Sequence, residues 1–246
     1  MLHQKLLNAK KIIREHEPEE GYYLGFSGGK DSVVLLDVAK RAKVKIDVFY
    51  NITTIEHPET LEFAKSFPEV QFIEPKNTIE QLIIKKGFPP LQKYRYCTTE
   101  LKVKSGRDRL KLLGLRAEES TKRADLEPIK LEGKDRHIYP IFDWTTADIW
   151  QYIGKYNLRY NPLYDCGYKR VGCVLCPFAP KKQIELEIKK YPEIVEKYRQ
   201  ACIKAYDFQL SRGKKYDTFQ SGQDIFEWWL NIIRRNPTIS PKKNSE

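Results

Sequence analysis

Apolar positions along the first half of this chain recur at two alternating periods. Leu6, Leu7, Ile12 and Ile13 fall at helical spacing and predict an opening helix over 4–15. A short apolar run over 21–26 predicts a buried strand. Residues 30–42 follow with Val33, Leu35, Leu36 and Val38 as the apolar face of a helix. VKIDVFY (44–50) alternates as a half-buried strand does. Residues 57–66 then read as a helix, 70–73 as a strand and 78–86 as a helix. Strands alternating with helices predict an α/β fold with a parallel sheet, because parallel neighbours need crossover connections.

The second half is less regular. The spacing predicts a helix over 98–111, a strand over 112–115 and a basic loop or helix end over 120–125. Further strands are expected at 128–131 and 137–141. A helix over 145–156 would start at a Thr cap and turn Trp150 inward. Residues 161–180 form a Gly/Cys/Pro loop of about 20 residues, a length that usually has a ligand or a metal as its reason. Residues 192–210 and 224–235 read as amphipathic helices, with Phe226, Trp228 and Trp229 as a packing anchor, and 237–246 as a flexible tail.

Composition sharpens this in three ways. Lys and Arg number 44 against 33 Asp and Glu, a net charge of +11. That balance suits polyanions such as nucleotides and RNA, although a 31% charged share also fits plain solvated surface. No apolar stretch approaches the roughly 20 residues of a membrane helix. The charged N-terminus also lacks a signal-peptide core, so a cytoplasmic protein without a membrane partner is expected. Finally, the five cysteines are Cys97, Cys166, Cys173, Cys176 and Cys202. In such a compartment clustered thiols point to metal or redox chemistry rather than disulfides. Cys202, inside a helical stretch, reads as a small core residue.

The chemistry starts at GFSGGKDS (25–32), where the first strand runs through glycines into a helix. Gly28 and Gly29 can adopt backbone shapes that turn amides toward an anion, and the helix N-terminus adds partial positive charge. Ser27 and Ser32 supply hydroxyls, Lys30 a point charge, and Asp31 a carboxylate for Mg²⁺ or a loop amide. The spacing fits neither a Walker A loop nor G-x-G-x-x-G. A basic stretch, Lys93, Arg95, Lys102, Lys104, Arg107 and Arg109 with Tyr94 and Tyr96 between, is either a solvated face or a surface for an RNA backbone.

GFSGGKDS resembles the pyrophosphate-binding loop of the N-type ATP pyrophosphatases, the adenine nucleotide alpha hydrolase-like fold. Three further stretches resemble the phosphoadenylyl-sulfate reductase branch of that superfamily: LGLRAEES (113–120) with Arg123, PIFDWTTADIW (140–150) and NPLYDCGYKRVGCVLCP (161–177). The resemblance implies a doubly wound, mostly parallel sheet. It implies a nucleotide-binding α/β domain over 1–180 with its cysteine loop at 161–177, and C-terminal helices over 181–236. It also implies nucleotide contacts from Ser27, Gly28, Gly29, Lys30, Asp31, Ser32, Arg116 and Arg123, with Lys30, Asp31 and Arg116 as catalytic groups. RYCTTELK (95–102) lies where iron–sulfur members carry a Cys-Cys pair. Cys97, Cys166, Cys173 and Cys176 would then complete a four-thiolate set for a [4Fe–4S] cluster, or for zinc, which accepts the same ligands.

The reductases of that branch use a cysteine in a C-terminal E-C-G-[IL]-H segment, whereas the corresponding stretch here is SGQDIFEWWLNIIRR. The intact loop implies enzymes that split ATP into AMP and pyrophosphate with Mg²⁺. The expectation is therefore ATP-dependent adenylylation and sulfur transfer, with tRNA or another RNA as a possible acceptor. A protein that donates sulfur or electrons would be a further partner. A sulfite-releasing reductase and a non-enzymatic, metal-stabilised RNA- or partner-binding module are the alternatives.

Overall fold

The computed structural model describes residues 2–103, 105–106 and 108–235. Lys104, Arg107 and the expected tail at 237–246 lie outside the described residues. The chain forms two compact units. The first comprises Met1–Asn51, Pro58–Ile73 and Lys104–Val171, and the second Ile52–His57, Glu74–Val103 and Gly172–Glu246.

The first unit holds the sheet. Helix α1 (Leu2–Glu15) buries Leu2, Leu6, Ala9 and Ile13. It is followed by β1 (Tyr22–Gly25), α2 (Lys30–Ala42), β2 (Ile46–Asn51), α3 (Pro58–Lys65) and β3 (Val70–Ile73). After an excursion into the second unit come β4 (Lys111–Leu113), α6 (Thr121–Ala124), β5 (Ile129–Lys130), β6 (His137–Ile138) and α7 (Thr146–Lys155). The strands form one sheet in the order β3-β2-β1-β4-β6-β5. Neighbours are parallel except for the β5–β6 pair. Tyr22 and Leu24 of β1 and Leu112 of β4 are fully buried, as central parallel strands covered on both faces require.

This is the expected α/β, doubly wound architecture. The chain winds outward from β1 to β3 and then starts again at β4 on the other side of β1. At that reversal the connections leave β1 and β4 in opposite directions, which opens a crevice beyond their carboxyl ends. Phe26 and Ser27 follow β1 there, and Gly114 and Arg116 follow β4.

The second unit is helical. It contains α4 (Ile79–Lys86), α5 (Tyr96–Thr98) with a π-helical turn at Thr99–Val103, α8 (Lys181–Lys190), α9 (Pro192–Ser211) and α10 (Gly222–Arg235). Its core joins Ile79, Leu82 and Ile83 of α4 to Tyr198 and Cys202 of α9 and Ile225 and Trp229 of α10. Trp229 stacks on Tyr198 at 4.7 Å and donates its indole N–H to the Pro90 carbonyl at 2.9 Å. Phe226 and Trp229 are buried and Trp228 partly so, which makes this stretch the expected anchor.

One local expectation changes. The helix expected over 98–111 is only α5 and its π-helical turn. Leu101 and Leu110 are both buried but belong to different units, so they never share one helix face. Between them Gly106 takes φ +60, and a Cβ there would come within 2.4 Å of the Tyr23 ring. Helix α8, within the expected C-terminal helices, spaces its apolar residues Ile184, Leu186 and Ile188 by two rather than at helical spacing in KKQIELEIKK, and its buried side is made of Ile184 and a carboxylate, Glu187.

At Gly222 the backbone of α10 meets α9. A Cβ there would lie 2.3 Å from Ile203 Cα, a contact that no side-chain rotation relieves. Gly222→Ala is expected to destabilise the protein by about 1–3 kcal/mol, the usual cost of overpacking, read as a lowered Tm.

Candidate functional site

The first unit presents an anion cradle at the start of α2. Its N-cap, Gly29, makes no side-chain capping bond. The first bond of the helix runs from Val33 N–H to Gly29 O at 3.1 Å. The amides of Lys30, Asp31 and Ser32 lie ahead of it, and such amides have no intrahelical acceptor. Gly28 adopts φ +71, and a Cβ there would press to 3.0 Å against Thr60 Cγ2. Only glycine meets both conditions without strain. The Ser32 hydroxyl donates to Gly29 O at 2.8 Å and accepts the Ser27 amide at 3.2 Å, which closes the loop on itself.

Three chain segments hold this loop. Gly114 brings β4's exit so close that a Cβ would sit 3.0 Å from Asp31 O. Arg116 follows, only 2% exposed. Its Nε donates to Asp31 Oδ1 at 2.7 Å, Nη1 to Glu118 at 2.8 Å and the Trp144 carbonyl at 3.0 Å, and Nη2 to Thr146 Oγ1 at 3.2 Å. Asp31 Oδ2 accepts from Lys30 Nζ at 3.0 Å. Burial opposes the Arg116 charge, but Asp31 ahead of Glu118 outweighs it and raises the guanidinium pKa. Arg116 thus works as a buried clamp on Asp31, and Asp31 in turn steers Lys30. Arg123 pairs with Glu119 at the surface.

The third segment is the 3-10 turn Pro162–Tyr164. Asn161, fully buried, donates Nδ2 to Gly28 O at 3.3 Å and Thr60 Oγ1 at 3.0 Å. The Tyr164 hydroxyl accepts the Lys30 amide at 3.0 Å. Burial pushes the Tyr164 phenol well above its ordinary pKa, so it is a neutral hydroxyl at physiological pH. The NPLY signature was visible in the sequence, but nothing there tied it to the glycine loop. The first unit also contains Cys166, which is exposed.

The second unit contains the other thiols. Cys97, Cys173 and Cys176 pack partly buried against the helical core. Burial first, then the charge of Cys176, raises the Cys97 and Cys173 pKa values, while Lys102 acts the other way. In turn the charge these sulfurs carry when ionised, that of Cys173 foremost, raises the pKa of Lys102. Among the described residues no three His, Cys, Asp or Glu side chains are gathered as a metal site. The three thiols are chemically suited to iron or zinc.

A buried pair that no sequence motif marks shapes this loop. His57 and Glu187 are both 0% exposed and meet at 2.9 Å. The other His57 nitrogen bonds Gly172 O at 3.0 Å, and Glu187 Oε2 accepts the Leu175 amide at 2.7 Å. The pair therefore grips the G-C-V-L-C turn at both ends. Thr53 Oγ1 lies 3.3 Å from Cys173 Sγ, and Val174 N–H bonds Ile55 O at 2.8 Å. Of the basic stretch, Arg109 is held by Asp47 and the Gly21 carbonyl, Arg95 lies over Phe178, and Tyr94 is 61% exposed.

A doubly wound sheet with an anion cradle at its switch point defines a class of nucleotide-binding α/β proteins. Residues 21–179 match the phosphoadenosine phosphosulfate reductase domain, and the chain belongs to that family. An uncharacterized protein of Methanocaldococcus jannaschii is 32% identical over 80% of this chain and 52% of its own length. The adenosine 5'-phosphosulfate reductase of Lysinibacillus sphaericus is 30% identical over 68% of this chain and 79% of its own. The chain thus spans about half the length of the first of these relatives. The phosphoadenylyl-sulfate reductase of Candida auris shares the fold, with a TM-score of 0.52 at 19% identity over 70% of this chain and 93% of that one. The FMN adenylyltransferase of Candida glabrata gives a TM-score of 0.50 at 17% identity over 70% of this chain and 62% of that one. Among the described residues no helix is long and apolar enough to cross a membrane.

Glu187→Ala leaves His57 and the Leu175 amide buried without their acceptor. It is expected to cost about 3–5 kcal/mol, as breaking one side of a buried pair does. Thermal unfolding checks the cost, and limited proteolysis checks that cleavage appears at the 172–176 turn.

Proposed function

We propose that this chain is an adenine-nucleotide enzyme of sulfur metabolism that splits ATP into AMP and pyrophosphate, adenylylating an acceptor that then takes sulfur. The observation that carries this reading is the start of α2. There the side-chain-free N-cap, the amides of Lys30, Asp31 and Ser32 and the Lys30 ammonium offer donors suited to a doubly charged leaving group. An acceptor oxygen attacks the α-phosphorus, the bond to the bridging oxygen breaks, and pyrophosphate departs with the charge that these donors hold. Asp31, clamped by Arg116, keeps Lys30 aimed and would be the carboxylate to hold a Mg²⁺, whose charge would help to neutralise the departing pyrophosphate. A sulfur nucleophile then attacks the activated acceptor and displaces AMP. Ser27, Gly28 and Gly29 shape the loop, and Arg123, paired to Glu119, borders it in sequence beyond Arg116. The net charge of +11 suits a polyanionic acceptor such as tRNA.

Within the second unit, Cys97, Cys173 and Cys176 would hold a [4Fe–4S] cluster, or zinc in its place. A bound cluster supplies electron transfer or a sulfur-binding iron. Lys102 offsets the thiolate charge, and the His57–Glu187 pair fixes the turn that carries two of these ligands.

A second reading, reduction of a sulfonucleotide to sulfite, is favoured by relatives that carry that name. It needs a thiolate to attack sulfur. Cys202 is not suited to that part, because it is fully buried and burial pushes its thiol up to about 12.

Calorimetric titration with ATP–Mg²⁺ is expected to show binding that Lys30→Ala weakens roughly ten- to a hundredfold, the worth of a charge-assisted hydrogen bond. Unchanged binding by Lys30→Ala contradicts the site. Sulfite release from adenylyl sulfate with thioredoxin as reductant decides for the second reading.

A further inference from the structure

The Lys30 amide is among the first donors that a phosphate meets at the start of α2, and it already has an acceptor. The Tyr164 hydroxyl takes it at 3.0 Å. The same hydroxyl lies 3.4 Å from where a Gly29 Cβ would stand, so it sits directly over the loop. The Lys30 ammonium is 5.8 Å from the centre of the Tyr164 ring. Tyr164 is anchored from below by its own turn. Asn161 caps that turn by accepting the Leu163 amide at 3.0 Å while its Nδ2 holds Gly28 O. One turn therefore both supports the loop and places a hydroxyl on one of its donors.

We propose that Tyr164 competes with incoming phosphate for the Lys30 amide, so that a phosphate-bearing ligand must turn the Tyr164 hydroxyl aside to bind. This rests on the nucleotide reading of the loop and deepens it, because it makes the loop selective. A pyrophosphate group brings several charged oxygens and replaces a neutral acceptor with a stronger, charge-assisted one. Adenosine brings no such oxygen and leaves Tyr164 where it is. Tyr164 is a positioning residue here, since it acts through the Lys30 amide and takes no part in bond breaking.

The structure also supplies a reporter. The Trp150 indole on α7 meets the Tyr164 ring edge-on at 5.2 Å, and Tyr160 flanks it at 5.3 Å. Turning Tyr164 aside changes the surroundings of Trp150, whereas Trp144, the other tryptophan of the first unit, packs tilted against Tyr152 at 5.3 Å.

The test titrates the full chain with inorganic pyrophosphate, ATP–Mg²⁺ and adenosine, following both heat and tryptophan emission, in the wild type, Tyr164→Phe and Trp150→Phe. In the wild type, pyrophosphate and ATP are expected to shift the emission and adenosine is not. Trp150→Phe is expected to bind pyrophosphate with the same heat but without the optical change. Tyr164→Phe is expected to bind pyrophosphate about two- to tenfold more tightly, the net worth of one neutral hydrogen bond. Equal or weaker binding by Tyr164→Phe overturns the proposal, the weaker case by making the hydroxyl a phosphate ligand. Wild-type binding with no emission change overturns it as well. If the wild type takes up neither pyrophosphate nor ATP, the reading of the loop itself fails and the competition with it, an outcome distinct from the other two.

Discussion

Asp31 is the point on which the glycine loop and the start of α2 depend. It is the second residue of α2, where a helix N-terminus welcomes negative charge, and it takes two cations at once. Lys30 approaches one oxygen and Arg116 the other. Arg116 arrives from β4, the strand at which the sheet reverses direction, so the pair joins the two halves of the doubly wound sheet. A guanidinium that is 2% exposed is tolerable only because its donors are filled by Asp31, Glu118, Thr146 and the Trp144 carbonyl. Loss of any of these acceptors leaves a buried charge short of partners. The network therefore specifies one arrangement of the loop more strongly than apolar packing would.

The rest of the site follows from that constraint. With Asp31 fixed, Lys30 is aimed and the first amides of α2 face one place. Gly28, Gly29 and Gly114 then matter for what they lack, because a Cβ at Gly28 or Gly114 would push at Thr60 or at the Asp31 backbone. The cysteine loop repeats the logic within the second unit. A wholly buried His57–Glu187 pair holds Gly172 O and the Leu175 amide, and the thiols lie on an apolar core that disfavours their charged forms. Each unit thus uses one hydrogen-bonded side-chain pair, Arg116–Asp31 or His57–Glu187, to hold one irregular loop.

The elements of the sheet were legible because a central parallel strand buries both faces, so YYLG stands out as an apolar run, and because β2 alternates between more and less buried positions, so IDVFYN stands out by its period. GFSGGKDS was legible because glycine, lysine and serine between a strand and a helix have few other uses. Three things were hidden. The stretch from 98 to 111 divides between units, so its periodicity belongs to no single helix. Helix α8 buries a carboxylate, which a search for apolar stripes passes over. His57, Glu187, Asn161 and Tyr164 act on loops far away in the chain, and only the folded backbone brings Tyr164 to the Lys30 amide. Arg116 was found as a residue but not in its manner of acting, since four of its contacts are to protein acceptors.

The central claim is that the loop serves cleavage between the α- and β-phosphates of ATP. Phosphorus-31 NMR of the anaerobically purified chain with ATP–Mg²⁺, a sulfide source and bulk tRNA reads this directly. The account predicts AMP and pyrophosphate appearing together in equal amounts. ADP and inorganic phosphate as the products would contradict it.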